Sequence, residues 1–208
     1  PGANATADGS FGVESAEDGS SVAVQRGVAP STISITPVGD TPVVPDVTTF
    51  EDTQSSPIVV DRHPTDGAEV SHFRISGITN GTLFQADGTT AISNGEYITV
   101  AQGQAGLRFT PTPSSILPGS FGVEASEDGS SVAAQSGVAT STITVTAVGD
   151  TPVVADINTV EDTQSGLILL DRNAADGPEV THFHISGISN GTLFQADGTT
   201  AISSGDYI

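Results

Sequence analysis

Short stretches of alternating apolar and polar residues run along the whole chain. In residues 69–75, Ser71, Phe73 and Ile75 share one face of an extended strand. Val70, His72 and Arg74 share the other face, so Phe73 and Ile75 are expected to point inward. Residues 57–60 form a short apolar run that predicts a buried strand. Further strands are predicted at residues 97–101, 107–109, 121–124 and 141–147.

Glycine and proline interrupt these stretches at intervals of roughly 8 to 12 residues, as in β-sandwich proteins. Asn80-Gly81 lies between apolar flanks and predicts a tight turn with positive φ, and residues 85–89 predict a second turn. No segment sustains a period of 3.6 residues. The pattern therefore predicts an all-β fold with roughly seven or eight strands per unit and almost no helix.

This alternating pattern occurs twice in the chain. Residues 11–98 return 110 positions later as residues 121–208, with 63 identities in 88 aligned positions. Such a period is typical of a tandem array. The phrase Val-Gly-Asp-Thr-Pro-Val at 38–43 and 148–153 combines residues that end strands and form turns, so it predicts a hinge. We expect residues 1–39 to be the C-terminal part of a preceding repeat, residues 40–149 a complete repeat, and residues 150–208 the N-terminal half of the next.

The two partial repeats leave two interpretations open. The chain starts at Pro1 without an initiator Met and stops inside the second copy, so the full protein is expected to continue in both directions. Alternatively, residues 150–208 of one molecule and residues 1–39 of another complete each other head to tail by strand sharing. Such a composite lacks only the equivalent of residues 99–110, and the chain would then be a filament-forming subunit.

The charge of the chain is strongly negative. Asp and Glu number 25 against five Arg and no Lys, and the net charge is −20. Such a surface repels nucleic acid and anionic membranes but attracts divalent cations. The mean hydropathy of +0.01 predicts no membrane span. Because Cys is absent, bound metal is a candidate stabiliser, whereas the alternative is that acidity only keeps the protein soluble.

Acidic residues recur in three clusters. One is Glu-Asp-Thr at 51–53 and 161–163, one is the Asp-Gly-x-Glu segment at 66–69 and 176–179, and one is the hinge Asp at 40 and 150. Calcium is bound by six to eight oxygen atoms, which carboxylates on loops can supply. The candidate calcium ligands are Glu51, Asp66, Glu69, Asp150, Glu161, Asp176 and Glu179.

These clusters, together with the phrases at 77–83 and 106–111, resemble the cadherin-like tandem repeats of large bacterial cell-surface and biofilm adhesins. The resemblance covers the whole chain. It implies tandem immunoglobulin-like β-sandwich domains of about 110 residues, an extracellular location and Ca²⁺ at domain junctions. It also implies that Glu51 is a ligand at the leading edge of the domain, Asp150 the hinge ligand, and Asp176 and Glu179 ligands from the following domain.

The chain departs from the cadherin pattern where Thr65 and Ala175 replace the first acid of Asp-x-Asp, and no Asp-Arg-Glu follows residues 107–109. One weakly bound ion per junction is therefore expected instead of three, and the alternative is that none binds. The Glu-Asp-Gly-Ser-Ser runs at Glu17 and Glu127 are interpreted as solvated loops, with a minor metal site as the alternative. His182 and His184 are expected on an exposed strand face.

No catalytic motif is found in the sequence. It has no Cys nucleophile, only four His and no Gly-x-Ser-x-Gly segment. We therefore expect no enzyme, but a spacer and adhesion module that acts by repetition. The expected partners are neighbouring repeats of the same protein, identical molecules in a fibre, and cell-surface or matrix components.

Overall fold

The computed structural model describes residues 5–15, 27–130 and 136–208, so the loop predicted at Glu17 lies outside the described residues. Within them the chain forms fourteen strands and one five-residue helix. The prediction of a β fold with almost no helix is confirmed. No helix in these ranges has the length and apolar character needed to cross a membrane.

Two strands before the predicted hinge at 38–43 pair with each other. Strand β1 (Gly9–Val13) pairs with β2 (Ala29–Ile33) in antiparallel fashion, with Gly9 opposite Ile33. The equivalent residues of the next copy, 119–123 and 139–143, pair in the same register. This strand pairing is therefore a property of the repeated sequence.

Residues 40–149, which we call the complete repeat, contain eight strands and the helix. The elements are β3 (Val47–Phe50), β4 (His72–Thr79), β5 (Gly81–Phe84), β6 (Ala91–Ile92), β7 (Tyr97–Thr99), α1 (Val100–Gln104), β8 (Arg108–Pro111), β9 (Gly119–Ser126) and β10 (Ala139–Thr146). One sheet has the order β3-β10-β9-β4-β7 and the other the order β6-β5-β8. The strand number agrees with the prediction.

The first and last strands of the complete repeat lie side by side and run parallel. Val47 of β3 is opposite Ile143 of β10, and Phe50 is opposite Thr146. Every other strand pair between described residues is antiparallel. Because neighbouring parallel strands begin at the same end of a sheet, the chain enters this sheet at one end and leaves it at the other.

A single hydrophobic core joins the two sheets. Phe73 and Ile75 are fully buried, as their place in the alternation predicts. The ring of Phe109 lies against Gly81 and Gly119, where an added Cβ would come within 2.4 and 2.3 Å of it. Buried residues from both sheets contribute to this core: Phe73, Ile75, Ile98, Phe121, Val123, Ala125 and Ile143 from the larger, and Leu83, Ile92 and Phe109 from the smaller.

Three local predictions are wrong. Residues 57–60 do not form a strand, because Ile58 makes only an isolated pairing with Leu107, and Val59 is 40% exposed. The strand predicted at residues 97–101 ends at Thr99, because a capping box starts α1 there: Thr99 Oγ1 accepts the Gln102 N–H at 3.2 Å, and Gln102 Oε1 accepts the Thr99 N–H at 2.7 Å. Val70 was assigned to the outer face but is fully buried. The alternation does not extend to Val70, because β4 begins only at His72.

The predicted turns are present. Asn80 has a φ of 53°, as predicted, although it joins β4 and β5 of different sheets. The turn at 85–89 connects β5 to β6, and Gln85 N–H donates to the Thr90 carbonyl at 2.9 Å. Gly88 adopts a φ of 71° in that turn, a conformation that favours glycine.

Residues 150–208, the partial copy, repeat the local pairings of the complete repeat. Strand β11 (Val153–Val154) pairs with β12 (Leu170–Asp171), and β13 (Leu193–Phe194) pairs with β14 (Ala201–Ile202). The registers match those of the complete repeat, since Val153 is opposite Asp171 as Val43 is opposite Asp61. The partial copy thus follows the same local plan.

Candidate metal site at the repeat junction

Glu51 lies at the end of the sheet where the chain leaves the complete repeat. It follows β3, and its N–H donates to the Thr146 carbonyl at 3.0 Å. Its Oε1 atom accepts the Val148 N–H at 2.7 Å. The residue is only 5% exposed, and its Oε2 atom is buried with no hydrogen-bond partner among the described residues. A bound cation or an ordered water would satisfy such an oxygen.

Asp176, in residues 150–208, also binds the segment at 148–150 that follows β10. Its Oδ1 atom accepts the Asp150 N–H at 2.8 Å. Its Oδ2 atom is buried and has no hydrogen-bond partner within the described ranges. The carboxylates of Glu51 and Asp176 therefore bind N–H groups two residues apart, at Val148 and Asp150, and each keeps one oxygen unsatisfied.

The same hinge contact is present where the chain enters the complete repeat. Asp66 accepts the Asp40 N–H at 2.9 Å with Oδ1 and at 3.1 Å with Oδ2. Thr65, which stands where the cadherin pattern has an acid, donates its hydroxyl to Asp40 Oδ2 at 2.6 Å. Asp66 and Glu69 also line a cavity of about 20 Å³, which has room for one water or ion.

Glu69 and Glu179 close the loop that carries the Asp of each copy. Glu69 Oε1 accepts the Gly67 N–H at 2.7 Å, and Glu179 Oε1 accepts the Gly177 N–H at 2.5 Å. The hydrogen bond from Gly67, followed by that from its own N–H, lowers the pKa of Glu69 despite its partial burial. Each of these carboxylates therefore orders its loop through one oxygen atom.

Glu127 is an acidic neighbour that the sequence analysis placed in a solvated loop. It is half-buried, and its Oε1 atom is buried without a hydrogen-bond partner among the described residues. Burial raises the pKa of Glu127, and the nearby charges of Asp128 and Glu69 raise it further. The sequence signal that could have located it is its position directly after a strand. In the structure this strand is β9, and Ser71 Oγ donates a hydrogen bond to the Glu127 carbonyl.

The structure sorts the predicted ligands into two junctions. Asp66 and Glu69 lie at the entry, whereas Glu51, Asp150, Asp176 and Glu179 flank the exit. Glu51 was expected at the leading edge of the domain but lies at the opposite end, because β3 ends beside the end of β10. Glu161 repeats Glu51 in sequence but is exposed.

No three Asp, Glu or His side chains within residues 5–15, 27–130 and 136–208 are grouped closely enough to hold a metal ion. The oxygen donors are of the type that Ca²⁺ prefers, but they are spread along the hinge. No protein-family model matches the chain, and no curated protein or solved structure was found to be similar to it. The resemblance to cadherin-like repeats stays a prediction.

Proposed function

We propose that this chain belongs to the structural and adhesive region of a large secreted bacterial surface protein, built from cadherin-like, immunoglobulin-like β-sandwich repeats. The parallel pairing of β3 and β10 supports this proposal most directly. A chain that enters one end of a sheet and leaves at the other extends when the unit is repeated. The repeats then act as a spacer that holds adhesive surfaces away from the cell.

The composition supports an extracellular, structural role. The net charge of −20 keeps neighbouring rods apart in solution, and the repeated surface offers many weak contacts to cell-surface or matrix components. Linking many weak sites raises the overall strength of attachment without any single tight site. The role is adhesive and not enzymatic.

Calcium is the proposed stiffening ion at the junction after β10. Glu51 and Asp176 would hold it through the two buried oxygens that lack partners, Oε2 and Oδ2. The ion would join the last strand of one repeat to the first loop of the next. Because few carboxylates converge there, the affinity is expected in the range of about 0.1 to 1 mM, as in extracellular modules.

Thermal unfolding tests the calcium part of the proposal. The melting temperature of the chain is measured in chelator and in Ca²⁺ at about one hundred times the dissociation constant, where binding to the folded state adds about 2.7 kcal/mol. We expect a higher melting temperature in calcium for the parent chain and for Glu161→Gln, and a smaller increase for Glu51→Gln. An unchanged melting temperature in the parent chain would show that the carboxylates only solvate the surface.

Small-angle X-ray scattering tests the spacer part independently of calcium. A chain that enters and leaves the repeat at opposite ends is expected to give a maximum dimension that grows by a constant step for each repeat added. Chains with one, two and three copies of residues 40–149 supply the series. A dimension that stops growing would mean that the repeats fold back on each other and would contradict the spacer.

A further inference from the structure

The two hinges share one backbone contact but differ in the side chains around it. At the entry hinge (residues 38–43) the Asp40 N–H donates to Asp66, and at the exit hinge (residues 148–153) the Asp150 N–H donates to Asp176. The three residues before the accepting Asp are not the same in the two copies. They are His63, Pro64 and Thr65 at the entry, and Asn173, Ala174 and Ala175 at the exit.

The entry hinge is closed by its own side chains. Thr65 Oγ1 donates to Asp40 Oδ2 at 2.6 Å, and His63 Nδ1 lies 2.6 Å from the same Oγ1 atom. Both carboxylate oxygens of Asp66 accept the Asp40 N–H, at 2.9 and 3.1 Å. Three of the four carboxylate oxygens of Asp40 and Asp66 therefore already accept hydrogen bonds.

The cavity of about 20 Å³ beside this network does not require an ion. Thr65 and Asp66, two of its polar lining residues, are already hydrogen-bonded to Asp40. A single water fits a polar space of this size and needs only two to four polar partners. The entry hinge is thus complete with hydrogen bonds alone.

The exit hinge leaves its carboxylates open. Ala175 has no hydroxyl, and the Asp150 carboxylate accepts no hydrogen bond from the described residues. Asn173 cannot replace the hydroxyl, because it accepts the Ala175 N–H at 3.0 Å and donates to the Thr151 carbonyl at 3.1 Å. Asp176 Oδ1 binds the Asp150 N–H, whereas Asp176 Oδ2 is buried without a partner among the described residues. One carboxylate oxygen of this pair is satisfied, where the entry hinge satisfies three.

We propose that the residue at positions 65 and 175 determines whether a hinge needs calcium. With Thr, a neutral hydroxyl satisfies the hinge Asp and closes the hinge without an ion. With Ala, Ca²⁺ takes the place of the missing donor, because a carboxylate without a hydrogen-bond donor is satisfied by a cation. The inference rests on the calcium site proposed after β10 and adds the residue that decides which hinges the ion stiffens.

Amide hydrogen exchange of the full chain, measured by NMR in chelator and in Ca²⁺, tests the proposal at each hinge separately. The Asp40 and Asp150 N–H groups both donate to a carboxylate, so their exchange requires the hinge contact to open. If opening releases the ion, Ca²⁺ at one hundred times the dissociation constant should slow exchange at Asp150 by about 100-fold. Exchange at Asp40 should change by less than about twofold, because no bound ion has to leave.

Substitutions that exchange the two hinge types sharpen this test. In chelator, Ala175→Thr should slow exchange at Asp150, and its response to Ca²⁺ should fall below about tenfold. Ala175→Val has the same shape without the hydroxyl and should keep the full response. In the opposite direction, Thr65→Val should speed exchange at Asp40 in chelator, whereas Thr65→Ser should not, because serine keeps the donor to Asp40.

The outcomes separate this inference from the calcium site itself. Equal responses to Ca²⁺ at the two hinges, or equal effects of Ala175→Thr and Ala175→Val, would overturn the inference and leave the calcium site in place. An Asp150 N–H that does not respond to Ca²⁺, together with an unchanged melting temperature, would contradict both. Equal exchange at Asp40 in Thr65→Val and in the parent chain would overturn the role of the hydroxyl, whatever calcium does.

Discussion

The complete repeat and the partial copy share most of their residues but not their burial. Phe73 is fully buried, and Phe183 at the equivalent position is only partly so. Ile58 and Ile168 differ in the same way, at 0 and 38% exposure. Residues 150–208 do not include the positions equivalent to β8, β9 and β10, which pack against these side chains in the complete repeat. Burial in this protein thus depends on strands distant in sequence and not on the local segment.

Local hydrogen bonding is the same in the two regions. Thr90 Oγ1 donates to Asp87 Oδ2 at 2.6 Å, and Thr200 Oγ1 donates to Asp197 Oδ2 at 2.5 Å. The hairpins that contain them have equal registers, with Leu83 opposite Ile92 and Leu193 opposite Ile202. Contacts between residues close in sequence therefore form without the full core, whereas burial requires the distant strands. Matched substitutions in the two regions test this difference.

The largest expected difference in unfolding free energy is between alanine variants of the two phenylalanines at equivalent positions, Phe73 and Phe183. Phe73→Ala should lower the free energy of unfolding of the complete repeat by about 3 to 5 kcal/mol, because it leaves a cavity in a closed core. Phe183→Ala should leave the same transition within about 0.5 kcal/mol, since Phe183 is not enclosed. Urea denaturation followed by circular dichroism measures both. Equal losses would show that the partial copy has a core of its own.

Alanine variants of Glu51 and Glu161 should show a smaller difference in unfolding free energy. Glu51→Ala removes the acceptor of the part-buried hydrogen bond from the Val148 N–H and should cost about 0.5 to 1.5 kcal/mol of unfolding free energy. Glu161 is exposed, so Glu161→Ala should have an effect within about 0.5 kcal/mol. Chemical denaturation in chelator separates this structural effect from any effect of calcium. A larger cost for Glu161→Ala would contradict the placement of Glu51.

The ion pair between β4 and β9 should contribute less again. The side chains of Arg74 and Glu124 are 37 and 15% exposed, so solvent screens part of their attraction. Arg74→Ala is expected to cost about 0.2 to 1 kcal/mol, and the coupling with Glu124→Ala in a double-mutant cycle should decrease in high salt. A coupling that does not respond to salt would mean that packing, and not charge, accounts for the loss.

The titration of Asp87 and Asp197 should show no difference at all. In each copy, hydrogen bonds from a threonine hydroxyl and two backbone N–H groups lower the pKa from 3.8 to about 2. Because the folded pKa is depressed, the stabilising effect is complete above pH 3.8 and is lost as the pH falls through about 2. NMR titration of the carboxyl carbons measures both values.

The matched variants Thr90→Val and Thr200→Val supply the control for this titration. Each removes the hydroxyl that is the largest cause of the lowered pKa, so each should raise the pKa of its own Asp toward the ordinary value. A lowered pKa in the complete repeat alone would show that the turn of the partial copy depends on the missing core. The hydrogen bonds of the turn would then depend on distant strands, as the burial of Phe73 does.

Most local features of the fold were predictable, whereas the distant ones were not. The inward positions of Phe73 and Ile75, and the positive φ of Asn80, follow from alternation and turn chemistry. The helix at Thr99 was missed because its capping box occupies only four residues. The position of Glu51 was wrong because its partner, Val148, is 97 residues away in sequence. Nothing local to Glu51 indicates which strand will lie beside β3.

By itself, the sequence determined the repeat, most of the strands and turns within it, and the acidity of the surface, because these depend on composition and on neighbours along the chain. Only the tertiary structure decided that β3 lies parallel to β10, that Glu51 is buried at the exit, and that Phe109 occupies the slot between two glycines. The physical reason is that alternation specifies which face of a strand is apolar. The strand that covers this face is selected by closing a core shared among distant segments.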